Sequence, residues 1–324
     1  MPATPNLDIT QIPSDLLAHV EANPEIISDI IQDGFQQVAN DFDVRYAEDE
    51  EVITSMRVMD TLRVASDDFK PAKGADFKTR KWKLQEVDAD FFIPRSQILA
   101  IAKSYLRKVK GLGNVQAVLD NPFETFFLEE IIQGQGLFLR ENTAWKGDAD
   151  AAQVGSLTAM DGLLLKLIAG AAGGGDIPAA NTLTHVGAFA GVEEIYEHVQ
   201  ALCEKYDDNL PRLAETSTEI RLSRSMWKKY NQGRRAKFPD HVGPNETATS
   251  PDDHDNKKFV IDPGLAAKES VIITPPNNLF FGTDGAIKPR LSIQPQIKGW
   301  EVNIFLRGAF DYAHGPFIVR NNKV

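Results

Sequence analysis

The chain has 324 residues, 42% of them hydrophobic and 25% charged, with a formal net charge of −11 at pH 7. This composition specifies a folded protein with a sizeable core and excludes wholesale disorder. The single cysteine, Cys203, excludes an internal disulfide framework and a cysteine-rich zinc site, and it fits a reducing compartment. The N-terminus, MPATPNLDIT, lacks the basic and apolar regions of a signal peptide. The most apolar run, GLLLKLIAGAA, contains Lys166 and is too short to span a bilayer, so a soluble protein is expected.

The charge is unevenly placed. Residues 1–51 hold 12 of the 46 acids and one base, Arg45, a net −11; the remainder balances at 34 of each sign. The segment reads as a solvated acidic arm. Without a net-basic domain, sequence-specific nucleic-acid recognition is not expected.

Within the arm, PEIISDIIQDGFQQVAN carries Ile26, Ile27, Ile30 and Ile31 as a helical apolar stripe. From residue 52 the period changes: Val52, Met56, Val58, Leu62 and Val64 share one parity, as a half-buried strand requires. After the break SDDFKPAKGAD, the run FKTRKWKLQEVDADFFIP is again strand-like, so residues 52–94 predict a long two-stranded ribbon. Such a ribbon has little core of its own and must lie on something. A helix is predicted over 95–108. Another follows from the N-cap Asn121 and Pro122, with Phe123, Phe127, Ile131 and Phe138 at helical spacing. Gly134 and Gly136 predict a bend or a close neighbour there.

Further along, Thr158 with Asp161 looks like a cap and its third-position acid for AMDGLLLKLIAG, a helix stopped by AAGGGD. Val192 to Tyr206 form the cleanest amphipathic helix. A short strand EIRLS, a helix SMWKKYNQGRR and a polar loop from Phe238 follow, then strands KKFVI and ESVIIT. KPRLSIQPQI, WEVNIFLRGAFDY and FIVRNN read as a closing antiparallel set. The order of strands, helices, then strands indicates an α+β class.

Motifs that carry chemistry are few. GAAGGGD lacks the GK[ST] ending of a phosphate loop, and neither G-x-S-x-G nor H-E-x-x-H occurs. The six histidines are scattered, with His198 expected at the surface, and Cys203 sits on an apolar stripe as a core thiol. DDHDNKK lacks the glycine and glutamate of a calcium loop. ITPPNNLFFGTDG (273–285) has the punctuation of a ligand loop but no lysine, phosphate motif or full carboxylate set. It reads as a strand ended by Pro275 and Pro276, a second strand Leu279–Phe281, and turn residues Asp284 and Gly285. No catalytic residue, cofactor or metal site is expected.

The motifs ENTAWKG and ITPPNNLFFGTDG, with the order of elements around them, resemble the major capsid proteins of tailed bacteriophages, the Hong-Kong-ninety-seven-type fold. The resemblance spans almost the whole chain. It implies an acidic N-terminal arm (1–50), an extended loop (51–94) and a peripheral domain (95–152 and 286–324) with spine helix 121–142. The axial domain is 153–285. It implies a non-enzymatic head protein that assembles as hexamers and pentamers into an icosahedral shell around double-stranded DNA, in the virion after assembly in the host cytoplasm. Its partners would be copies of itself, a portal and decoration or minor capsid proteins; since there is no obvious long, highly charged N-terminal scaffold domain, it also implies a separate scaffolding protein or a short arm. The expected subunit-interface residues are Trp82 and Lys83 in the extended loop, Phe123, Phe127 and Ile131 on the spine helix, and Trp300 and Phe305 in the closing strands. Two other readings stand beside it: an encapsulin-type nanocompartment shell, and an α+β hydrolase whose site is assembled from distant residues.

Overall fold

Two runs, GWEVNIFLRGAFDY and VIIT, are apolar enough to be central strands, and each becomes the middle of a five-stranded sheet. The computed structural model describes residues 38, 40–58, 75–94, 96, 97, 100, 123–152, 155–243, 246–284, 290–296 and 298–323. In chain order they form β1 (Asp43–Tyr46), β2 (Glu50–Val58), β3 (Ala75–Lys83), β4 (Gln85–Pro94) and helix α1 (Phe123–Phe138). Then come α2 (Leu163–Ala171), β5 (Thr182–Leu183), α3 (Val192–Asn209), β6 (Thr218–Leu222) and α4 (Arg224–Lys237). The chain closes with β7 (Lys257–Ile261), β8 (Val271–Thr274), β9 (Leu279–Thr283), β10 (Arg290–Gln296), β11 (Gly299–Tyr312) and β12 (Val319–Asn321).

In the first sheet β4 and β10 flank the first part of β11 and β9 pairs with its end, all antiparallel, while β1 runs parallel to β9. In the second the order is β5-β12-β8-β6-β7. One face of this second sheet carries Ile220, Leu222, Val271, Ile273 and Val319 against the amphipathic helix α3 and against α4. The other face, through Ile272, joins a core with Trp145, Leu167, Leu279, Phe310 and Tyr312. β2 and β3 pair only with each other, as the ribbon predicted.

The segment 273–283 crosses between the sheets: β8 belongs to the second, β9 to the first. Asn277 takes the left-handed conformation that asparagine tolerates, at φ 60°. Asn278 is buried, and its amide donates to Thr274 Oγ1 at 2.9 Å and to the His314 carbonyl at 3.2 Å. It also accepts from the His314 backbone N–H at 2.8 Å. His314 lies on the return crossing from β11 to β12, so one side chain ties both crossings together.

Several expectations change. The run from Phe77 to Pro94 is two strands: the chain leaves the ribbon at buried Leu84 and enters the first sheet as β4. The closing strands are not one set, since β12 joins the second sheet, antiparallel to β8 and parallel to β5. Thr158 does not cap α2: it ends a short 3-10 turn, and Gly162 is the cap residue. Asp161 instead accepts from Lys166 Nζ at 2.8 Å and from the Ala149 amide at 3.2 Å. Of the two glycines, Gly134 has open surroundings and Gly136 is buried, and the irregularity is a π-helical turn at Leu139–Thr143, directly after α1. There Arg140 pairs with Asp41 and the Thr143 hydroxyl donates to the Ser156 carbonyl at 2.5 Å. β1 has no counterpart among the expected elements; four residues inside an acidic stretch carry too little alternation to be read. The expected helices at 24–40 and 95–108, the cap at Asn121 and the turn at Gly285 lie wholly or largely outside the described residues.

His198 is not at the surface. It is 8% exposed on α3, with the rings of His185 and Phe189 at 5.6 and 5.1 Å. Burial, reinforced by His185 and Lys323, lowers its pKa from 6.5 to about 4. Between those values the unfolded chain binds a proton that the folded chain refuses, so this group's contribution to stability falls as pH drops from 6.5 to 4. Urea unfolding of the subunit across that range is expected to show a shallower pH dependence for His198→Phe than for wild type. Equal slopes would remove His198 from the account.

Candidate subunit interface

The alternation of a two-stranded ribbon gives it two faces, and register assigns them here. Ile53 pairs with Arg80 and Glu51 with Trp82, so Ile53, Lys78, Arg80 and Trp82 share one face. Val52 pairs with Lys81, which places Val52, Phe77, Lys81 and Lys83 on the other.

The first face is fastened to the chain's own body. Trp82 is 3% exposed and meets the ring of Phe280 edge-on at 5.1 Å. Gly282 makes room for it: a Cβ there would lie 1.9 Å from the indole. Arg80 pairs with buried Asp311, donates to the Tyr312 carbonyl and lies 3.5 Å from Asp176. Its guanidinium also stacks on the Tyr312 ring at 3.7 Å. The Tyr312 hydroxyl in turn donates to Asp176 at 2.6 Å. Burial pushes the Asp311 carboxyl above its ordinary pKa, with Arg80 acting against that shift. Burial likewise raises the Tyr312 phenol. Lys78 Nζ donates to the carbonyls of Gly174 and Gly175 at 3.1 and 2.7 Å. The glycine run after α2, expected only to stop the helix, thus supplies a docking edge of bare carbonyls.

The second face is open. Val52 is 50% and Phe77 63% exposed, beside the surface pair Lys81–Glu50 at 3.0 Å. Tyr46 on β1, Phe92 on β4 and Phe138 at the end of α1 are further exposed large apolar residues.

The residues expected at an interface divide accordingly. Lys83 is exposed on the open face. Trp82 and Trp300 are buried by their own chain, at 3% and 4%. Ile131 and Phe305 are half-buried. Phe123 and Phe127 lie on α1 with side chains outside the described ones. Side-chain type does not settle exposure on a strand, which depends on which face each residue occupies. Phe77 was legible from its shared parity with Lys81 once the ribbon had been predicted.

Among the described residues no group of three or more His, Cys, Asp or Glu is arranged to hold a metal, and no helix is long and apolar enough to cross a membrane. The imidazoles of His185 and His254 face Glu194 and Asp207 at 2.8 and 3.1 Å. The Cys203 thiol is buried, which pushes its pKa up to about 12.

No family model and no curated protein matches the sequence. Solved structures do match. A chain of the satellite phage P4 procapsid, which includes the size determination (Sid) protein, aligns with a TM-score of 0.55 at 12% identity, over 92% of this chain and 89% of that one. The capsid of the native GTA particle aligns at 0.54 and 13% identity, over 89% and 90%. Microbacterium phage Oxtober96 aligns at 0.50 and 10% identity, over 87% and 89%. At these identities the likeness is one of fold: the chain has the α+β fold of phage capsid proteins of the Hong-Kong-ninety-seven type.

The two ribbon faces are expected to respond differently to substitution. Arg80→Ala strands the buried Asp311 carboxylate and should destabilise the subunit by about 3 kcal/mol. Val52→Ala with Phe77→Ala should stay within about 0.5 kcal/mol per site, because both are exposed. Urea denaturation of unassembled subunit measures both; equal costs would contradict the assignment of faces.

Proposed function

We propose that this chain is a major capsid protein, a head subunit whose copies assemble as hexamers and pentamers into an icosahedral shell enclosing double-stranded DNA. The observation that carries this reading is the ribbon, fastened on one face and exposing Val52 and Phe77 among charged residues on the other. A monomeric protein has no use for such a face; a closed assembly covers it with the next copy. The capsid fold and the phage and GTA particles that share it support the same reading. The charge distribution suits containment: beyond residue 51 the acids and bases balance at 34 each, so the body lacks the basic footprint that would bind packaged DNA through counterion release.

In this reading the first sheet with α1 forms the peripheral unit and the second sheet with α3 and α4 the axial unit. β9 then belongs to the peripheral unit and β12 to the axial one, which moves both across the boundaries read from sequence. The extended loop is β2–β3 alone. Scaffolding protein, portal and decoration proteins complete the set of partners, the work is structural rather than enzymatic, and the place is the virion.

The test replaces the open face by charge. Val52→Asp with Phe77→Asp should leave the subunit folded and abolish particle formation, read by electron microscopy and size-exclusion chromatography, with a scaffold partner supplied where assembly requires one. Wild-type particles from the doubly substituted chain would remove the ribbon from the interface. A wild-type chain that stays monomeric under all assembly conditions would overturn the shell reading itself.

A further inference from the structure

On the face of the second sheet that looks toward the Tyr312 core, two arginines flank Ile272. Arg221 on β6 and Arg320 on β12 are both its cross-strand neighbours. Arg221 is fully served: it donates to Glu219 at 2.9 and 3.0 Å, to Asp262 at 3.4 Å and to the Asp41 carbonyl at 2.6 Å. Arg320 is equally buried, at 6% exposure, yet its Nε and Nη1 have no hydrogen-bond partner, and among the described residues no carboxylate pairs with it. Its partner across the parallel pairing to β5 is Thr182, about 4.8 Å away in the adjacent strand. The Thr182 hydroxyl is also buried without a partner. Two independent orphans, one cationic and one a neutral donor, therefore face the same way on neighbouring strands. An unpaired charge removed from water is strongly unfavourable, and a planar guanidinium beside a hydroxyl is matched by an oxyanion. Burial depresses the Arg320 pKa, with little more than the Tyr312 phenol acting to restore it.

We infer that Arg320 and Thr182 form a binding site for an oxyanion supplied from outside the folded subunit. Two sources share that chemistry: a carboxylate side chain of a second copy of this chain, or a free inorganic oxyanion. The first rests on the shell reading; the second does not.

Thermal unfolding of purified, unassembled subunit in sodium phosphate, against sodium chloride at matched ionic strength, addresses the free anion. Phosphate is expected to raise the wild-type midpoint by several degrees, to do nothing for Arg320→Met and to act weakly on Thr182→Val. For the second-copy source phosphate leaves the subunit unchanged. Arg320→Met then lowers the unfolding midpoint of assembled particles by several degrees while leaving or raising that of the subunit. If Arg320→Met does not fold, Arg320→Lys and Thr182→Val carry both arms. The inference is overturned if phosphate has no effect and particle stability is unchanged in every variant. It is equally overturned if Arg320→Met destabilises the free subunit with no phosphate response, which would make the arginine purely structural. If no particles form at all, the second-copy source fails together with the shell reading, and the phosphate arm alone decides whether the site takes a free oxyanion.

Discussion

The geometry of the ribbon depends on the docking of Arg80 against Asp311, Asp176 and the Tyr312 ring. Two strands alone cannot bury both of their faces, so a ribbon needs one face fixed before the other can be presented in a defined direction. Charge pairing alone would fix it poorly at the surface. Here the carboxylate is buried, the cation lies over an aromatic ring, and Trp82 fills the space above Gly282. The contact therefore combines area, hydrogen bonds and charge at one point. Lys78 on the glycine carbonyls extends it toward the ribbon tip. Everything proposed for the open face follows from the rigidity of this one.

The same logic separates Arg221 from Arg320. Both are arginines in a sheet core, where polar groups are expected to be paired. The first closes its pairs within the chain and binds β1's leading segment through the Asp41 carbonyl. The second does not. Among the described residues the fold satisfies one buried cation three times over and leaves two nitrogens of its neighbour without a partner.

Much of the architecture was legible in the sequence, because the period-two runs around residues 52–94 and 290–312 and the stripe of α3 are long. The division of strands between sheets was not. Leu84 and the short β12 change sheet without any change in period, and only long-range pairing decides where they go. The expectation of a surface His198 fails because the buried stripe of α3 includes it, although Glu194 and Glu197 stand beside it in sequence. Of the interface residues expected by type, the tryptophans proved to be held by their own chain. The apolar groups left outside, Val52 and Phe77, were marked only by strand parity.

Asn278 has a mechanical meaning. The chain passes between the two sheets three times, and at two of those crossings, β8 to β9 and β11 to β12, one buried amide clasps the two segments to each other. Tension applied to either sheet therefore reaches the other through a doubled strap whose two cords cannot slide independently. Twisting one sheet against the other must first break the bonds of a single side chain. Such a clasp resists torsion between the two sheets, so strain at one crossing is shared with the other instead of being absorbed by either alone.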